Sequence, residues 1–210
     1  MIKAIIFDMD GVLIDARDWH YEALNKALEL FGFSITRDDH IKRFDGLPTS
    51  KKLEILSNEN GLPRELHQLI NRLKQSYTVD EVILKCRPKF NHEYLLSRLR
   101  SEGFGVSVAS NSIRSTVELM MQRSNLHQYL DFYLSNEDVE EAKPSPEIYL
   151  KAIKEHKLSP HEVLVVEDND HGVRSATDAG AHVLVVSNPD EVSYWNIIRK
   201  LQEIQAGQEL

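Results

Sequence analysis

Two carboxylates separated by one residue, Asp8 and Asp10, follow directly on a short apolar run and are themselves followed by Gly11. While the chain stays extended, residues two apart point the same way, so both side chains can face one ligand. Such a pair beside a cation suits phosphoryl transfer. One carboxylate stays ionised as a nucleophile; the other, protonated part of the time, donates to the leaving oxygen and then takes a proton from water. Like charges this close split their titrations, and Gly11 lets the backbone turn tightly beside the substrate. Three further pieces complement the pair. Ser110-Asn111-Ser112 offers a hydroxyl and free backbone N–H groups to a phosphate. Lys143, in a loop stiffened by Pro144 and Pro146, supplies positive charge to a transferring group. Glu167-Asp168-Asn169 adds hard oxygen ligands of the kind Mg²⁺ prefers. Alone, each piece has an ordinary explanation as a turn, a helix cap or a solvated loop residue. Their joint occurrence in one order argues for chemistry.

The elements that must position these residues are legible from hydrophobic patterning. Short apolar runs rich in β-branched residues occupy positions 4–7, 106–109, 132–134, 163–166 and 182–186, and each reads as a buried strand. Helical spacing lies between the last four: Val117, Met120 and Met121; Ile148, Ala152 and Ile153; Val173, Ala176 and Ala179. This alternation predicts an α/β fold, a Rossmann-like doubly wound parallel sheet with helices on both faces. Ligands of such sheets bind outside the carboxyl ends of the strands, which singles out Asp8, Ser110, Asn136, Glu167, Asp168 and Ser187. Residues 16–85 break the alternation with helical patterns only. Trp19, Ala23, Ala27, Leu30 and Phe31 form one stripe. Thr49 is placed to cap a second helix carrying Leu53 and Leu56, and Leu66, Leu69, Ile70 and Leu73 mark a third. The expected organisation is a core of residues 1–15 and 86–210 with an all-helical cap domain at 16–85, hinged at its two polar linkers. The last six residues are expected to fray.

In these motifs and their order the chain resembles the haloacid dehalogenase-like (HAD) superfamily, in its phosphatase branch with a helical cap inserted after the first motif, the branch of phosphoglycolate phosphatase and β-phosphoglucomutase. The family's D-x-D pair falls on Asp8 and Asp10, its Ser on Ser110, its Lys on Lys143 and its acidic pair on Glu167 and Asp168. The resemblance implies a Mg²⁺-dependent hydrolase of a small phosphate monoester, such as a sugar, polyol or amino-alcohol phosphate. It further implies an aspartyl-phosphate on Asp8, acid–base work and a backbone-carbonyl metal contact by Asp10, and phosphoryl oxygens held by Ser110 and Lys143. Asp168 would be the main carboxylate metal ligand beside Asp8, and whether Glu167 binds metal directly or through water stays open. Asp10 argues against the dehalogenase and phosphonate-hydrolysing branches, which lack this second acid. A β-phosphoglucomutase-like mutase shares all the core motifs, but usually carries cations where this chain has Asp45 and Thr49, flanking Gly46. Hydrolysis is therefore favoured, with Asp45 repelling a second phosphate. A non-catalytic regulator on the same fold is the third reading, opposed by the intact Asp8, Asp10, Lys143 and Asp168.

Composition bounds the rest. The formal charge of −8 in 210 residues gives no footprint for nucleic acid or an anionic membrane, so an anionic substrate needs a local site. Cys86 is the single cysteine, which excludes an internal disulfide and fits a reducing cytoplasm. No apolar run suggests a signal peptide or a membrane span. There is no nucleotide-binding glycine fingerprint. His20 and Asp45 are candidate substrate contacts, Trp19 a candidate core residue of the cap, and a monomer or weak homodimer is expected.

Overall fold

The computed structural model describes residues 1–208. Five parallel strands, β1 (Ala4–Phe7), β2 (Gly105–Ala109), β3 (Phe132–Leu134), β4 (Val163–Glu167) and β5 (His182–Val185), pair in the order β3-β2-β1-β4-β5. The order reverses direction at β1, the signature of a doubly wound sheet. β1 is fully buried because both sheet faces are covered. Ile5 and Phe7 pack on one side with Leu95, Leu99, Val117 and Met120; Ala4 and Ile6 pack on the other with Ile148, Ala152 and Ala176. The first face is covered by α5 (Phe90–Ser101), α6 (Arg114–Arg123) and α9 (Tyr194–Gln208), the second by α7 (Glu147–Glu155) and α8 (Asp170–Asp178). α9 takes in part of the segment expected to fray, since Ile197, Leu201 and Ile204 anchor it to the core. Glu209 and Leu210 lie outside the described residues.

Between β1 and β2 the chain is helical: α1 (Arg17–Glu29), the short α2 (Arg37–Asp39) running into a π-helical turn at His40–Phe44, α3 (Thr49–Asn60) and α4 (His67–Lys85). These helices enclose their own apolar cluster, in which Leu24, Ala27 and Leu28 of α1 meet Phe44, Leu53, Leu56 and Ile70. Three details differ from expectation. The α1 stripe is Ala23, Leu24, Ala27 and Leu28, whereas Leu30 lies past the helix end and is exposed. Trp19 packs instead against the main core with Val82 and Cys86, because it stands in the first turn of α1, next to the sheet. Thr49 is the first helical residue and Pro48 the N-cap, so the Thr49 hydroxyl makes no cap bond; a fixed proline φ already suits that start. No helix among the described residues is long and apolar enough to cross a membrane.

Candidate active site

The sheet delivers the motif residues through its own ladder. Asp8 continues β1, its N–H bonding Val166 O at 2.9 Å, and Ser110 continues β2, bonding Leu134 O at 3.0 Å. Asp8 is thereby held buried at the strand ends, where Lys143 reaches it. Lys143 Nζ lies 2.6 Å from Asp8 Oδ1, 2.7 Å from Glu167 Oε1, 2.8 Å from Tyr149 Oη and 2.8 Å from the Ala109 carbonyl, so its three N–H groups are shared among four acceptors. Tyr149 donates its hydroxyl to Glu167 Oε1 at 2.5 Å. Burial raises the Asp8 pKa well above the carboxylate range; Lys143 opposes this, while Glu167, Asp168 and Asp10 add to it. Burial also works against the charge on Lys143, but Asp8 and Glu167 more than offset it, so its pKa is raised.

Asp10 faces the other wall. It accepts from Ser112 Oγ at 2.9 Å and lies 3.0 Å from His20 Nε2, while His20 Nδ1 lies 3.1 Å from Lys74 Nζ. A protonated Lys74 has only donors to offer, so Nδ1 accepts and Nε2 carries the hydrogen toward Asp10. Burial pushes the Asp10 pKa up, but His20, Ser112 and Lys74 outweigh it and the carboxyl sits below its ordinary value. The two acids therefore titrate apart, with Asp8 the more readily protonated in the absence of a cation.

Asp8, Glu167 and Asp168 each place a carboxylate oxygen within 4.8 Å of the others. Burial, with help from Glu167 and Asp45, pushes Asp168 up to about 6 although Asn169 and Arg17 oppose it. Such a cluster of hard, mutually repelling oxygens suits a small divalent cation. The approach is close: a Cβ on Gly11, whose φ is +90°, would lie 1.9 Å from Asp168 Oδ2, so only glycine brings this backbone so near. Both oxygens of Glu167 already have partners, Lys143 and Tyr149 on one, the Asp168 N–H and Asn169 on the other.

The helical segment sits over these strand ends. Asn111 donates to Gly46 O at 2.8 Å and accepts from the Lys143 N–H at 3.0 Å, so its side chain ties that segment to the core. Asp45 is not a free carboxylate, because Arg17 binds it at 2.7 Å and Asp168 at 2.8 Å. Asp8, Asp10, Ser110, Asn111, Lys143, His20 and Asp45 all line one cavity of about 120 Å³, whereas Glu167 and Asp168 cluster on Asp8 without lining it. The same cavity is lined by Ser112 of the Ser110-Asn111-Ser112 motif and by Arg17, Lys52 and Lys74, which the motifs did not single out. The lysines carry the usual pattern of solvated helix residues, and only the helix packing shows that burial lowers Lys52 to about 8 and Lys74 to about 7.

Comparison with known proteins places this site in context. Residues 5–186 match the haloacid dehalogenase-like hydrolase family. The chain is 30% identical over 180 residues to a phosphorylated carbohydrates phosphatase of Thermotoga maritima, covering 85% of this chain and 82% of that protein. It is 27% identical over 199 residues to the pyrophosphatase PpaX of Bacillus mycoides, covering 89% and 84%. Its fold superimposes on the crystal structure of β-phosphoglucomutase from Clostridium difficile with a TM-score of 0.85 at 22% identity, covering 98% of this chain and all of that one.

Proposed function

The chain belongs to the haloacid dehalogenase-like hydrolase family, and from that membership we propose that it is a Mg²⁺-dependent phosphatase acting on a small phosphate monoester of sugar or polyol type through an aspartyl-phosphate on Asp8. The observation that carries this reading is the convergence of Asp8, Asp10, Ser110 and Lys143 on one small cavity, with Glu167 and Asp168 clustered on Asp8. Relatives named as phosphatases support the reaction class.

An ionised Asp8 oxygen attacks phosphorus, the bond from phosphorus to the leaving oxygen breaks, and Asp10 gives that oxygen its proton. Asp10 then takes a proton from a water that attacks the aspartyl-phosphate, releasing phosphate and restoring Asp8. Lys143, with the Ser110 hydroxyl, compensates charge on the transferring group. The negative phosphoryl group raises the proton affinity of Asp10 as it arrives, and His20 holds that carboxyl in place. Asp8, the Asp10 carbonyl and Asp168 would hold the Mg²⁺, with Glu167 beside them, and the bound ion would supply positive charge against which an anionic ester could approach Asp8. The helices of residues 16–85 act as a cap that keeps bulk water out.

Phosphate release from a panel of small monoesters tests the proposal. Activity is expected with Mg²⁺ or Mn²⁺, suppressed by Ca²⁺ with its looser coordination, and lost in excess chelator. Undiminished turnover in chelator would refute the metal role. A second expectation concerns His20. Replacing it with Asn should slow alkyl phosphates about tenfold while sparing a p-nitrophenyl ester, whose leaving group needs little protonation; general acid catalysis as a whole contributes roughly 10²–10⁴. Equal slowing of both esters would show that His20 does not act through Asp10.

A further inference from the structure

The cations lining the cavity are unequally matched. Lys143 is taken by Asp8 and Glu167, and Arg17 by Asp45 and Asp168. Lys74 meets only the imidazole of His20. Lys52, on α3, is 7% exposed and has no hydrogen-bond or ion-pair partner among the described residues, yet it lines the cavity. Asn71 of α4 lines the same cavity, and its buried Oδ1 likewise has no partner. Asp45 and Asp10 favour the Lys52 charge from a distance, but a buried ammonium that bonds no partner is costly, and a fold retains one most readily where a ligand completes it. The expectation that Asp45 repels a second phosphate requires it to be an unpaired carboxylate. Arg17 pairs with that carboxylate at 2.7 Å, so it is not free to face the ligand, while Lys52 and Lys74 line the same cavity.

We infer that Lys52, assisted by Lys74, binds a second anionic group on the leaving portion of the substrate, so that the substrate is a small phosphate ester also bearing a carboxylate or a second phosphate. The inference rests on the phosphatase reading for the placement of the transferring phosphoryl group at Asp8.

The test separates this subsite from the chemistry. Asp8→Asn protein with Mg²⁺ is titrated calorimetrically with glycerol 3-phosphate, 3-phosphoglycerate and a glycerol bisphosphate, with and without Lys52→Met, Lys52→Gln or Lys52→Arg as a second change. At least one acidic ester is expected to bind tenfold or more tightly than glycerol 3-phosphate. Lys52→Met and Lys52→Gln should each cut that ratio roughly ten- to hundredfold, as loss of a charge-assisted bond does, and Lys52→Arg should keep most of it. The ester whose ratio collapses identifies the group. A wild-type Lys52 background with no preference for either acidic ester, or a ratio unmoved by both neutral substitutions, overturns the inference. If the ratio behaves as expected but protein with Asp8 intact releases no phosphate from the preferred ester, the subsite stands and the phosphatase reading fails.

Discussion

Asp8→Asn is expected to abolish phosphate release, by at least about 10⁴-fold, while leaving the protein folded. An amide nitrogen or oxygen is no nucleophile toward phosphorus, and uncatalysed monoester hydrolysis is so slow that rate enhancements approach ~10²¹. The fold should survive for an electrostatic reason. Burial raises the Asp8 pKa well above the usual carboxylate value in the cation-free protein, so the ionised form is disfavoured there and stability falls as pH rises from the unfolded value through the folded one. Asn is a neutral isostere of the protonated acid and removes that loss. Its Oδ1 can still accept from Lys143, which keeps Glu167 as its counter-charge. In chelator at neutral pH, the variant should therefore melt at or above the wild-type temperature. Activity within tenfold of wild type would sink the nucleophile assignment. A large fall in melting temperature would instead mean that unfolding, not chemistry, was measured.

The residues legible in the sequence were those whose position follows from the sheet. Asp8, Ser110, Glu167 and Asp168 each end or follow a strand, and once the alternation of strands and helices is read, parallel pairing brings those ends to one edge. Lys143 was legible by motif order, although its four-way contact with Asp8, Glu167, Tyr149 and Ala109 was not. Tyr149 hides because a tyrosine on the apolar face of α7 looks like any core aromatic. Arg17, Lys52 and Lys74 were missed for a different reason. A cation on an amphipathic helix is ordinarily solvated, and its burial here depends on how α1, α3 and α4 pack together and over the strand ends. No local pattern encodes that. Gly46 shows the same dependence: its φ of +74° sets a Cβ position 2.7 Å from Asn169 Oδ1, a close approach visible only once the helical segment and the core are placed together.

Lys143→Met should lower both activity and stability, and the pH dependence of the second effect identifies its cause. The substitution keeps an unbranched stem of similar size but removes the ammonium from between Asp8 and Glu167, which lie 5% and 0% exposed. Breaking a buried ion pair from one side costs about 3–5 kcal/mol, because the remaining charge stays buried without a partner. For a chain of this size that is a fall of roughly 6–20 °C in melting temperature. Without Lys143, burial and the neighbouring acids act unopposed on Asp8, so its folded pKa climbs further above the unfolded value near 4. A carboxyl raised in this way leaves stability intact below the unfolded pKa and removes it as pH rises through the folded one. The gap between variant and wild type, measured by urea unfolding in chelator, should therefore be widest at pH 8 and shrink toward pH 5. Phosphate release should fall by about 10²–10³, the size of effect seen when one transition-state charge donor is lost. Lys143→Arg should not rescue either property, since a planar fork cannot meet four acceptors ranged around one ammonium. A stability gap that stays constant between pH 5 and 8 would show that Lys143 contributes packing alone, and that its charge is not what holds Asp8 ready for attack.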